Sequence, residues 1–261
     1  MEERFGIETL DYQQGDATAI LRLPIRGLRN PITNEPTLAP LALLVDDAGS
    51  TATYACRGRR WRVTSELSMQ FVAGAESLVE CGLDEYVLAN ARILSATPGS
   101  ALAECTLMFG PKLIGVATVR SVYISGHVAT THRPSETLVK TSCTSLAELM
   151  AVTPSPDAIS RYTLKQLPDP MVFNAKGTVH GGVSATAAEL VASAAIWGET
   201  SGGGFRSGSL HVNFLRPFIA DADSCYRGSV VHAGSTVAVA EAQAIASNGK
   251  IVVTAQFTEY R

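Results

Sequence analysis

What the chain lacks narrows its chemistry before anything it contains. Five cysteines, Cys56, Cys81, Cys105, Cys143 and Cys225, are odd in number and scattered. None is spaced as a metal or redox pair, so no metal centre is expected, and such usage suits a reducing cytosol. Charge is scarce as well. Only 17% of residues are charged, the net charge is −3 and the isoelectric point is near 6.0, which leaves no overall pull toward nucleic acid or an anionic membrane. No apolar run is long enough to span a bilayer. The opening MEERFGIETLDYQQGD is acidic and polar, unlike a signal or transit peptide. A cytoplasmic protein that binds neither nucleic acid nor membrane is the expectation.

What is present is a large apolar fraction, 46% of 261 residues, enough to bury a sizeable core in one or two domains. The stretch from Asn174 to Trp197, NAKGTVHGGVSATAAELVASAAIW, organises the rest. After Gly181 and Gly182 it runs fifteen residues without Gly or Pro, mostly small and apolar, with one charge at Glu189. Helices apolar on all sides lie inside proteins, and small side chains let a sheet wrap closely around this one. A lone buried carboxylate is costly unless it is hydrogen-bonded or put to use. Ser193 lies four residues on, over the same helical face. The loop before the helix supplies Asn174, His180 and free backbone N–H groups, so an acid, a hydroxyl, an amide and an imidazole converge on one helix terminus.

In chain order, Ala17 to Pro24 is strand-like and a loop rich in Pro and Asn follows. LALLVDDAGSTATYA is a helix candidate, with Asp46 and Asp47 at its middle and Gly49 as a weak spot. Strand-like runs cover Thr64 to Val72, Tyr86 to Ser95, Ser100 to Phe109 and Leu113 to Ile124. A segment rich in Thr, Ser and Pro then reads as a linker, with a short helix from Leu146 to Val152 that Ser145 and Glu148 would cap. The same order then recurs. A strand from Arg161 to Leu167, the loop and helix, and strands at Ser207 to Leu215, Ser224 to Val231, Val237 to Ala246 and Ile251 to Thr258 complete it. Asp46 and Glu189, Ser50 and Ser193, Leu67 and Leu210, and Phe71 and Phe214 are each 143 positions apart. One offset for two helices and the strands after them indicates a repeat. Each half would be an antiparallel sheet around one helix, and the two together the covalent equivalent of a dimer.

Asn174, His180, Gly181, Gly182, Glu189 and Ser193, followed by SLHVNFLRP, resemble the hotdog-fold acyl-CoA thioesterases of the hydroxybenzoyl-CoA and phenylacetate-pathway type. The pattern is an Asn, a His-Gly-Gly six residues later, an acid nine residues after the His and a Ser or Thr four beyond. Residues 17 to 124 resemble the same fold more weakly. Asp46 and Ser50 are kept there, but Pro31, Thr37, Leu38 and Ala39 replace Asn174, His180, Gly181 and Gly182. The resemblance implies an α+β tandem double hotdog: an N-terminal unit over 1–126 with a degenerate loop, a linker over 127–158 and a C-terminal unit over 159–261. It implies an acyl-CoA substrate from lipid or aromatic acid metabolism, with coenzyme A as part of the substrate and no separate cofactor, and further self-association of the pair.

In that family the pocket lies between two units. Asn174, His180 and Gly181 would then face Asp46 and Ser50, while Glu189 and Ser193 would face Pro31, Thr37 and Leu38 in a pocket without a polar loop. If loop and acid act within one unit, Glu189 is the catalytic acid. A backbone N–H of Gly181 or Gly182 would meet the developing oxyanion, and the carboxylate would attack the carbonyl or activate a water held by Ser50 or Ser193. Asn174 and His180 would orient the thioester or the loop. Coenzyme A phosphates call for a cation, and Arg216 is the candidate, with a solvated surface arginine as the other reading. Gly202 to Gly204 lack a phosphate-loop Lys, and Arg57, Arg59, Arg60 and Arg62 around Trp61 read as a solvated loop, with contact to coenzyme A as the alternative. A hydratase using His180 with Asp46, and a non-catalytic acyl-CoA binder, are the other readings.

Overall fold

Alternating apolar residues build the strands, and the small size of the inward set decides how closely the helices approach. The computed structural model describes the chain except for residues 26, 59, 82–85, 126–134, 142, 156–160 and 203. It opens with a short helix α1 (Glu2–Phe5) and strands β1 (Glu8–Gln13) and β2 (Thr18–Pro24), then α2 (Leu41–Thr53) and β3 (Trp61–Phe71). Next come α3 (Ala75–Cys81), β4 (Tyr86–Ala96), β5 (Ser100–Phe109) and β6 (Lys112–Ile124). After α4 (Leu146–Met150), β7 (Val152–Pro154) and β8 (Thr163–Gln166) follow α5 (Gly181–Glu199), β9 (Arg206–Phe214), β10 (Cys225–Ala233), β11 (Val237–Ile245) and β12 (Ile251–Tyr260).

These strands form one antiparallel sheet in the order β1-β2-β4-β5-β6-β3-β9-β12-β11-β10-β8-β7. On β5 every second residue from Ala101 to Phe109 is buried, and on β11 the buried set is Ala238, Ala240, Ala242 and Ala244. Alternation puts such residues on one face, and alanine there leaves room for a helix. Helix α2 lies on β2 to β6, helix α5 lies on β8 to β12, and the two helices touch. Helix α5 is buried from Gly182 to Ile196 apart from Ser193, as an all-round apolar pattern demands.

The halves join where β3 pairs with β9, from Glu66 opposite Asn213 to Gln70 opposite Ser209. At the centre of that run Ser68 faces His211, and Ser68 Oγ lies 2.6 Å from His211 Nδ1. These two residues are 143 positions apart, so the offset read in the sequence coincides with a local two-fold through this pair. His211 therefore sits at the seam.

Four elements were not expected. Strand β1 is polar and mostly exposed and pairs only with β2, so it carries no apolar alternation. Helices α1 and α3 are short. Strand β7 lies in the segment read as a linker, yet it extends the sheet beside β8, and Leu146, Met150 and Val152 enter the core. Helix α4 does carry the expected capping box of Ser145 and Glu148. The unit boundaries expected near 126 and 158, together with His127, His132, Arg59 and Gly203, lie outside the described residues. Buried Arg4 ties α1 to the chain on both sides of α4, bonding Glu136 and Asp169. Its guanidinium holds the Glu136 carboxyl at about 2.

Gly49, a weak spot by helix propensity, has a packing reason. A Cβ there would lie 2.7 Å from Val119 Cβ on β6. An exposed helical Gly→Ala change gains about 1 kcal/mol, but forcing a methyl into a packed core costs about 1–3 kcal/mol. Gly49→Ala should therefore lower the midpoint of thermal or urea unfolding, and a rise would mean that α2 stands off the sheet.

Candidate active site

The two helices meet at the glycine pair that starts α5. A Cβ on Gly182 would lie 2.7 Å from Leu43 Cα, and one on Gly181 would lie 2.9 Å from Asp46 Oδ2. Helix α2 thus presses on the first turn of α5, which leaves no space for a side chain at either position. The contact sets the buried Asp46 carboxylate against the amide end of α5. Thr64 Oγ1 on β3 donates to Asp46 Oδ1 at 2.6 Å and fixes its orientation.

His180 is the N-cap of α5. Its Nδ1 accepts from the Gly182 N–H at 3.2 Å, and its carbonyl accepts from the Ser184 N–H at 3.0 Å. Among the described residues the Gly181 N–H has no hydrogen-bond partner, so it remains a donor at the positive end of the helix. The imidazole lies between adjacent acids, with Nδ1 3.5 Å from Asp46 Oδ2 and Nε2 3.6 Å from Asp47 Oδ1. With Nδ1 accepting, the neutral ring carries its proton on Nε2, toward Asp47.

A cleft of about 890 Å³ opens here, and Asp47, Ser50, Tyr54, Trp61, Asn174 and His180 line it. Asp47 escaped the sequence reading, although two adjacent acids in an apolar helix were the available signal. Burial holds its carboxyl well above the usual range, Glu2 and Asp46 add to this, and Arg62 opposes it. Its Oδ2 is buried with no hydrogen-bond partner. Asn174 serves the loop itself: Nδ2 donates to Thr178 Oγ1 at 2.8 Å, and Oδ1 accepts from the Lys176 N–H at 2.9 Å. Arg62 is no solvated loop residue, since it lies on β3, lines the cleft and has a buried Nη1 with no partner.

Glu189 lies apart from this group. It faces the first half, where Thr37 Oγ1 donates to its Oε2 at 3.5 Å. Asn30 Nδ2 donates to the Leu190 carbonyl at 2.8 Å and to Ser193 Oγ at 3.2 Å. The expectation that this end would lack a polar loop is corrected: Asn30, one position before Pro31, and Thr37 supply one. What this end lacks is a glycine pair, because Leu38 and Ala39 precede Pro40, the N-cap of α2. The hollow here is about 220 Å³ and gathers Glu76, Glu189 and Glu259. Arg216 lines neither hollow, and its Nη1 donates to the Ile251 carbonyl.

Residues 176–253 match the model of the thioesterase superfamily. The chain is similar in fold to a TesB protein of Mycobacterium avium subspecies paratuberculosis, with a TM-score of 0.61 at 13% identity over 97% of this chain and 95% of that one. Acyl-CoA thioesterase II TesB2 from Mycobacterium marinum also gives 0.61 at 13% identity, over 99% and 96%. The 12:0-ACP thioesterase from Umbellularia californica gives 0.54 at 10% identity, over 99% and 97%. No curated protein matches the sequence. The antiparallel sheet around central helices, a hotdog-type fold, is thus shared over almost the whole chain.

Burial, with Glu259 and Glu76 adding to it, raises the Glu189 carboxyl well above 4.5, while Thr37 opposes. Burial and Glu76 push Glu259 to about 7. The native state favours neutral carboxyls at both, so their stabilisation is full below the unfolded value and is lost as pH rises through the folded one. Glu189→Gln fixes the neutral form. Its melting temperature should exceed that of the parent at about pH 8 and converge with it near pH 4, as scanning fluorimetry across pH would show. A constant difference would refute the assignment.

Proposed function

We propose that the protein hydrolyses an acyl-CoA thioester to the free acid and coenzyme A, at a site made by Asp46 of the first half and the His180-Gly181 terminus of the second. The observation that carries this is the Asp46 carboxylate lying against Gly181 beside an amide with no hydrogen-bond partner among the described residues. The superfamily match over 176–253 includes His180, Gly181 and Gly182 and supports the same reading. We propose further that the chain is a double hotdog, with units over 1–126 and 159–261 and a working site at one end of the seam. The shared offset of 143 and the Ser68–His211 pair support this.

The thioester carbonyl would accept from the Gly181 N–H, which meets the oxygen as it gains charge. Asp46, held by Thr64, then supplies the carboxylate. In one route it adds to the carbonyl carbon, the carbon–sulfur bond breaks to leave a thiolate, and water hydrolyses the mixed anhydride. In the other it takes a proton from a water whose oxygen adds to the carbonyl carbon instead, and the tetrahedral adduct collapses with cleavage of the carbon–sulfur bond and loss of the thiolate. Ser50 lines the cleft where that water would sit. His180 holds the oxyanion corner by capping Gly182, and Asn174 holds the loop. Because Nδ1 is engaged by the Gly182 N–H, it is ill placed to exchange protons as a hydratase would require.

Thiol release from a panel of short, aromatic and long acyl-CoAs tests the activity. Asp46→Asn should lower kcat by about 10²- to 10⁴-fold, while Glu189→Gln should remain within a few-fold of the parent. The opposite ranking would overturn the cross-half site, and enoyl absorbance changes without thiol release would indicate a hydratase. Single turnover in ¹⁸O-water identifies an anhydride opened at the Asp46 carbon, since only that route leaves label on Asp46 and an unlabelled oxygen from Asp46 in the released acid.

A further inference from the structure

Cations are few in this acidic chain, yet three pack on aromatic rings, and two of those rings, Tyr54 and Trp61, line the cleft. Arg57 packs over the Tyr54 ring at 3.9 Å, Lys176 over the Trp61 ring at 5.4 Å and Arg60 over the Tyr123 ring at 5.3 Å. Tyr54 is 49% exposed. Tyr54, Trp61 and Arg62 line the cleft together with Asn174, Gly177 and His180. Among the described residues, Arg62 Nη1 and Arg57 Nε are both buried without a hydrogen-bond partner. An unpaired buried guanidinium donor is costly and fits an oxygen-rich anion.

The chemistry of this rim matches one kind of ligand. Guanidinium groups pair with phosphate oxygens in a fixed fork, and a lysine adds a point charge. Aromatic rings offer a face on which a purine base stacks, to which neighbouring cations contribute. The site also crosses the seam, because Tyr54, Arg57, Trp61 and Arg62 lie at the end of α2 and the start of β3, whereas Lys176 belongs to the loop of Asn174. Arg216, the cation singled out from the sequence, is bonded to the Ile251 carbonyl and lines neither hollow.

We propose that Tyr54, Arg57, Trp61, Arg62 and Lys176 form a subsite for the adenosine phosphate portion of the thiol carrier. The inference rests on the acyl-CoA thioesterase reading and adds to it which residues hold the nucleotide end of the carrier. Net recognition then comes from base stacking on Tyr54 or Trp61 and from phosphate pairing with Arg57, Arg62 and Lys176.

The test uses adenosine 3′,5′-bisphosphate as a probe, with quenching of tryptophan fluorescence and calorimetry as readouts, on the full chain and on Lys176→Glu, Arg57→Glu and the double variant. A melting curve for each variant checks that it folds. The probe should bind the parent, and the double variant should bind it at least about tenfold more weakly. In parallel, kcat/KM is compared for one acyl group carried on coenzyme A, on N-acetylcysteamine and on an acyl carrier protein. The ratio of the coenzyme A to the N-acetylcysteamine value should fall at least about tenfold in the double variant, through KM. Failure of the parent to bind the probe, or an unchanged ratio, overturns the subsite even if thioesters are cleaved. A loss confined to the carrier-protein substrate overturns it in favour of a protein carrier. Probe binding that weakens in the variants, with no thioester cleaved, supports the subsite and refutes hydrolysis.

Discussion

Everything at the site depends on one helix crossing. Leu43 and Asp46 of α2 rest against Gly181 and Gly182 of α5 with no space for an added carbon atom. Two consequences follow from that contact. The carboxylate of one half reaches the amide terminus of the other, and the same amide terminus is left with a donor, because the histidine before it caps the next residue. A bulkier pair at the start of α5 would push the helices apart and separate acid from amide.

The two ends of the seam show what that crossing decides. At one end glycine allows contact, and Asp46, Asp47 and His180 crowd into a group that opens on the larger cleft. At the other, Leu38, Ala39 and Pro40 lead into α2, and Glu189 accepts a hydrogen bond from the Thr37 hydroxyl across the gap. Both ends keep a buried carboxylate, because burial alone places no demand on the opposite loop. The chemical difference between them comes from backbone access, and two adjacent small residues control it.

Much of this was legible in the residues. Alternation announced the strands, and the run of small apolar residues after Gly182 announced a buried helix that a sheet could wrap closely. The offset of 143 is the separation of Ser68 and His211, which face each other at the centre of the β3–β9 ladder. Other features carried no local signal. Strand β1 is polar because only one neighbour holds it, and β7 is three residues in a Thr- and Pro-rich stretch. Which acid takes which place depends on the rotation of α2, which sets Asp47 in the cleft wall and Asp46 against Gly181. Asn30 replaces the missing amide one position away from where alignment by spacing puts it. Arg62 and Arg216 exchange their expected surroundings because strand register, not composition, decides which arginine lines a cavity.

The β3–β9 ladder has a mechanical consequence. Five consecutive residue pairs bond the halves into one sheet, so neither half can rock against the other without breaking main-chain hydrogen bonds. Opening by hinge between the halves, a common way for two-lobed enzymes to admit a ligand, is closed to this architecture. A ligand reaching the cleft must then pass the peripheral loops while the seam stays paired.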